Sequence, residues 1–135
     1  MLVRELDNSS RTLGEKQTTS KNVISRSKRV DKARRVVESQ AVKLHRFLPS
    51  GITIWTVVGR DRDFLIDFGV DNQKPYCSCN DFHFRVLSGL IPECYHLLAA
   101  KTATSNDMYS VVEFSDEEFP GFLRALISDN FSQSD

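Results

Sequence analysis

The chain has 135 residues, 40% hydrophobic and 27% charged, the composition of an ordinary soluble globular protein with room for one domain and tails. No apolar run nears the roughly 18 residues that span a bilayer, and Met1–Glu5 lacks the apolar stretch of a secretory signal, so a soluble, cytoplasmic protein is expected. The net charge of zero hides a split, because residues 1–60 carry 13 Lys/Arg against 5 Asp/Glu and residues 61–135 carry 5 against 13, which gives the chain a basic half and an acidic half.

Residues 1–24 are polar, rich in Ser, Thr, Asn and Lys. They bury too little to order themselves, and a flexible tail is expected. Residues 25–48 read as a basic amphipathic helix, regular over 27–47. Val30, Ala33, Val37, Ala41, Leu44 and Leu48 recur at helical spacing. Lys28, Arg29, Lys32, Arg35, Lys43 and Arg46 lie mostly off that stripe, and Pro49-Ser50-Gly51 stops the helix. Residues 52–58 are β-branched and aromatic. Residues 64–68 follow the turn 59–63, so 52–68 form a hairpin. Residues 75–79 form a short extended segment fit for a third strand. Residues 82–90 make a short helix or a loop. Pro92 precedes a helix over 95–104. A last helix covers 116–128, with Ser115 and Glu118 spaced as a capping box and Phe119, Phe122, Leu123, Leu126 and Ile127 as its apolar face. Residues 130–135 form a frayed tail.

Cysteine placement carries the most information. The chain has 3 cysteines, an odd count that argues against a disulfide framework. In an extended segment, residues two apart point to one face. Cys77 and Cys79 can therefore aim at one ion. On a regular helix, residues two apart diverge, so Cys94 must precede the helix and His96 must lie in its first turn. Pro92 biases its predecessor away from helix and suits that arrangement. Three sulfurs and one imidazole form a soft four-ligand set that favours tetrahedral zinc with no open coordination position. Such an ion is structural. His83 competes as a ligand, but His96 fits better beside Cys94. His83 reads as a surface residue between core Phe82 and Phe84, and His45 as an ordinary surface residue on the basic helix.

Cys77-Ser78-Cys79-Asn80-Asp81-Phe82, followed by Pro92-Glu93-Cys94-Tyr95-His96-Leu97-Leu98-Ala99, resembles the SWIM-type zinc finger. That family carries C-x-C, a variable spacer and then C-x-H, often with small and apolar residues after the His and a hairpin before the first Cys. The resemblance covers about residues 50–102. Glu93 departs from it, since many members have a small or basic residue there, and makes the ridge beside the metal less basic. Free-standing small members occur in prokaryotes, archaea especially. The resemblance implies zinc binding by Cys77, Cys79, Cys94 and His96, together with DNA binding, protein binding or both.

The expected fold is α+β: a small zinc-stabilised domain over 50–104, with a hairpin, a short strand and a helix after the C-x-H pair. A basic helix flanks it on the N-terminal side. An acidic linker and amphipathic helix over 105–129 flank it on the C-terminal side. The expected function is non-catalytic. Arg29, Lys32, Arg34, Arg35, Lys43 and Arg46 would grip nucleic-acid phosphates, with a protein-interaction adaptor as the alternative. No Ser/His/Asp pattern and no phosphate-cradling glycine loop supports an enzyme, and neither a membrane nor a small-molecule substrate is expected.

Overall fold

The computed structural model describes residues 20–71 and 73–131. The N-terminal tail expected over 1–24 lies outside them up to residue 19, and so do residues 132–135 of the expected C-terminal tail. The architecture is α+β. Helix α1 (Ser20–Glu38) leads into strands β1 (Val42–Leu48), β2 (Ile52–Val58), β3 (Asp63–Asp67) and β4 (Tyr76–Cys77). Helix α2 (Tyr95–Ser105), strand β5 (Ser110–Ser115) and helix α3 (Phe119–Phe131) follow. The five strands form one sheet in the order β4-β3-β2-β1-β5, and only β1 and β5 run parallel.

The single long helix expected over 27–47 is two elements. Gln40 adopts a left-handed φ of 61°. Its N–H donates to the Val37 carbonyl, and the Ala41 N–H reaches back to the Val36 carbonyl. These are the paired bonds of a Schellman motif, which ends α1. Glycine usually holds that position, so a glutamine there gives no stop signal in the sequence. The residues that follow alternate with a period of two. Val42 and Leu44 point to one face of the sheet, while Lys43, His45 and Phe47 point to the other. Val42 joins Val57, Ile66 and Cys77 in a core with Ala33 and Val37 of α1 and Leu97, Ala99, Ala100 and Ala103 of α2. On the opposite face, Phe47 is fully buried and packs against Phe114, Phe119 and Phe122. The sheet therefore lies between α1 with α2 on one side and α3 on the other.

Strand β5 was not expected from the sequence. It lies at the edge of the sheet and alternates between exposed Val111 and Glu113 and half-buried Val112 and Phe114. The capping box forms as read: the Ser115 N–H donates to Glu118 Oε2 at 3.1 Å. It opens a short 3-10 turn, Asp116–Glu118, that leads into α3. Asp116 does more than face a helix terminus, because it accepts bonds from the Ser50 hydroxyl at 2.7 Å and the Ser50 N–H at 3.0 Å. It thereby fastens the β1–β2 turn, where Gly51 takes a φ of +83° that side chains with a Cβ resist. The C-terminus is not frayed at residue 130. Asn130 is buried and donates through Nδ2 to the carbonyls of Asp63 and Leu126.

His45 is not a surface residue. It is buried, its Nε2 lies 3.0 Å from Thr56 Oγ1, and its ring stacks on Phe114 and lies tilted against Phe122. Its Nδ1 has no hydrogen-bond partner. Burial lowers its pKa below the ordinary 6.5, with Asp63 pulling the other way and Lys43 adding to the fall. The folded protein thus binds fewer protons here than the unfolded chain, so stability is lost as pH falls below 6.5. Urea unfolding between about pH 7.5 and pH 5.5 should show a steeper loss for the wild type than for His45→Gln. Parallel profiles would remove His45 as the source.

Candidate metal centre

Cys77 ends β4, and its register partner is Ile66 of β3. The Ser78 N–H donates to the Leu65 carbonyl at 3.1 Å, one bond beyond the end of β4. Ser78 Oγ accepts from the Leu65 N–H at 2.9 Å and donates to Asn130 Oδ1 at 2.8 Å. The residue between the two cysteines thus ties them to β3 and to α3. Cys79 opens a turn in which its sulfur accepts the Phe82 N–H at 3.3 Å. A single π turn, Phe82–Val86, follows. Cys94 is the N-cap of α2, in extended conformation at φ −81° and ψ 167°. His96 lies in the first turn, as the spacing requires. Phe64 and Tyr95 hold its ring at centroid distances of 4.2 and 4.1 Å.

The ligand atoms of Cys77, Cys79, Cys94 and His96 lie within 4.8 Å of one another, and all four residues are buried. All three cysteines are free thiols. Their mutual hydrogen bonds show how crowded the sulfurs are. Bonds from Cys77 and Cys94 hold the Cys79 thiol far below its usual pKa. Cys77 is pushed far up by its bonds to Cys79 and Cys94, and then by burial. For Cys94, the bond with Cys77 lowers the pKa and the bond with Cys79 raises it, with a net rise to about 12. A dication bound here would deprotonate the thiols that it coordinates. The fourth group also fits. His96 Nδ1 is buried and has no hydrogen-bond partner, a loss of about 1–3 kcal/mol for a polar atom in a protein interior. The ring offers one of its nitrogens to the cluster, which fits a group that ligates an ion.

His83 is not part of the cluster. The Cys79 carbonyl can only accept, so the Nδ1–H of His83 donates to it at 3.0 Å, and Nε2 accepts from the Tyr76 hydroxyl at 3.3 Å. His83 is exposed, as expected, but its neighbour Phe84 is exposed too rather than core, and only Phe82 is buried. The six basic residues do not form one stripe. Arg29, Lys32, Arg34 and Arg35 lie on α1. Arg29 is half-buried, and burial lowers its pKa while Glu93 opposes the shift. Arg34 pairs with Asp31 at 2.7 Å. Lys43 and Arg46 belong to β1, not to the helix, and they point to opposite faces of the sheet. Arg46 pairs with Glu113 at 3.2 Å. Glu93 is paired with Lys101 at 2.8 Å.

Sequence reasoning missed Ser78, Asn130 and Phe64 as supports of the cluster. Only Ser78 carried a signal, its place between two cysteines. The other two reach the cluster through the sheet. Among the described residues, no helix is long and apolar enough to cross a membrane. Comparison with protein-family models, with curated proteins and with solved structures finds no match. Fold and cluster together define an α+β protein with a buried Cys3His site able to hold a metal ion.

Proposed function

We propose that the chain is a SWIM-type zinc-binding module without catalytic activity that binds DNA or another nucleic acid through phosphate contacts. The observation that carries the metal assignment is the convergence of four buried ligand atoms within 4.8 Å. Three thiolates and an imidazole select zinc among the common ions. Together they fill a tetrahedron and leave no seat for substrate, so the ion's task is structural. Reduced thiolate ligands suit the cytoplasm.

The nucleic-acid reading rests on α1. Its basic side chains project from one helix that packs on α2 beside the metal cluster. If four of them each neutralise a phosphate, binding to duplex DNA should weaken with a log–log salt slope of about −3 to −4. Arg35→Gln should then flatten the slope by about one and weaken all duplex sequences alike. Fluorescence anisotropy with labelled duplex at several salt concentrations measures both. A wild type that binds no DNA at low salt refutes this reading and leaves the zinc assignment untouched.

One observation favours the second reading, a protein-interaction adaptor. Phe84, Leu87 and Leu90 are 72%, 66% and 73% exposed, within one short spacer between the two ligand pairs. The apolar face of α3 is less available, because Phe119 and Phe122 are spent on Phe47. The adaptor surface would be the spacer, and α3 would offer its acidic approach.

A further inference from the structure

The spacer between the two ligand pairs is not a loose loop. The Leu87 N–H reaches back to the Phe82 carbonyl at 3.0 Å, the Gly89 N–H to the Val86 carbonyl at 3.0 Å and the Leu90 N–H to the Arg85 carbonyl at 2.8 Å. Ser88 Oγ donates to the Phe84 carbonyl at 2.9 Å. Phe82 is buried and Val86 packs against the core, and these two residues anchor the coil by its inner side. Gly89 adopts a φ of +87° with open space where a Cβ would stand, a turn that glycine takes without strain. Phe84, Leu87 and Leu90 recur every third residue, and all three are exposed. Backbone bonds thus hold three large apolar side chains in water. Single scattered ones are ordinary on a surface, but a group marks a contact.

The charges around this group narrow the occupant. Arg85 pairs with Asp81 at 3.3 Å, and Lys101 pairs with Glu93 at 2.8 Å. Arg29 of α1 stands near enough to feel the charges of Glu93, Asp81 and Arg85. The rim therefore carries both signs, with a carboxylate beside each of these cations. A polyanion or an anionic leaflet is gripped by cations alone, and Asp81 and Glu93 stand against that use. A two-fold contact has the opposite need. Each copy presents the same patch, so attraction requires both signs on one face, the cation of one copy set against the carboxylate of the other. An apolar centre within a polar rim is also the build of a protein interface.

We infer that the spacer is the face of a two-fold dimer, in which Phe84, Leu87 and Leu90 of one copy pack on the same residues of the other and Arg85 faces Asp81 across the contact. The inference rests on the protein-interaction reading of the spacer and names the partner as a second copy of this chain. A patch centred on three side chains is small beside the roughly 20–30 residues a side of a standard interface, so the dimer is weak and forms as concentration rises.

The test is sedimentation equilibrium of the full zinc-loaded chain from about 1 to 500 µM. The wild type should pass from monomer towards dimer within that range. Phe84→Glu and Leu90→Glu should each weaken the dimer about tenfold or more, with zinc content and thermal midpoint unchanged because both side chains stand in solvent. If Phe84→Glu fails to fold, Leu90→Glu decides, since it lies beyond the π turn. Arg85→Asp should weaken the dimer, and Asp81→Arg added to it should restore most of the loss. No restoration overturns the contact of Arg85 with Asp81. A dimer that survives both glutamate variants forms elsewhere and overturns the inference, as does a wild type still monomeric at about 500 µM. A monomer that binds phosphatidylserine vesicles or a labelled duplex, and loses either in Phe84→Glu, removes the protein-interaction reading of the spacer as well. One that binds neither removes only the self-partner.

Discussion

Metal analysis of the purified chain should return about one zinc ion per molecule, and Cys79→Ser should return almost none. The reason is the shared geometry of the cluster. Removing one sulfur leaves three ligands around an ion that needs four. The effect on folding should be large. Structural zinc contributes about 10–16 kcal/mol of apparent binding free energy in small zinc modules, against a total stability of about 5–15 kcal/mol for a domain. This chain also owns a sheet core, so a loss of at least about 5 kcal/mol is the expected outcome. Chelation should act alike. The damage should begin where the ligands sit, over residues 75–100. Amide exchange should rise first at Leu97 and Leu98, because α2 starts at a ligand. It should also rise at Leu65, whose N–H donates to Ser78 between two ligands. A chelated protein with an unchanged far-UV spectrum and thermal midpoint would falsify the structural role of the ion.

Phe47→Ala should cost about 3–5 kcal/mol of unfolding free energy, the usual range for truncating a fully buried aromatic side chain. Phe47 has no exposed surface. Its ring lies 5.2 Å from Phe114, 5.1 Å from Phe119 and 5.3 Å from Phe122, and each such pair adds about 0.5–1.5 kcal/mol beyond burial. The substitution empties the layer between the sheet and α3. It lies on the face of the sheet opposite Cys77, so the folded fraction should keep its full zinc content. Urea denaturation gives the first quantity and metal analysis the second. A cost below about 1 kcal/mol would mean that α3 does not cover this face. The measurement also discriminates between helix and strand at this segment. On a helix over 27–47, Phe47 stands outside the apolar stripe, where truncation costs little.

That segment shows how far local signals reach. Val37, Ala41, Leu44 and Leu48 satisfy a helical period, while Val42, Leu44 and His45, Phe47 satisfy two faces of a strand. Both patterns are present in the residues. Local propensity is a weak prior that packing overrides, and here β2 and β5 on either side of β1 supply the hydrogen bonds that make the strand the better answer. The hairpin, by contrast, was readable because its two apolar runs flank a polar turn and pair with each other, close in the chain.

What the sequence determined by itself is the local part of the site. Two residues in extended chain share a face, and a ligand pair at spacing two can only straddle a helix start. Backbone geometry alone dictates both, so Cys77 with Cys79 and Cys94 with His96 could be matched before any fold was known. The capping box at Ser115 and the last helix were legible on the same ground. What only the tertiary structure decided is everything carried by partners distant in the chain. The seat of β5 beside β1, the burial of His45 under Phe122 and the Asn130–Ser78 bond all join residues that no short window contains. Their energies come from burial and from satisfying polar groups across the sheet, and those quantities do not exist until the layers have met.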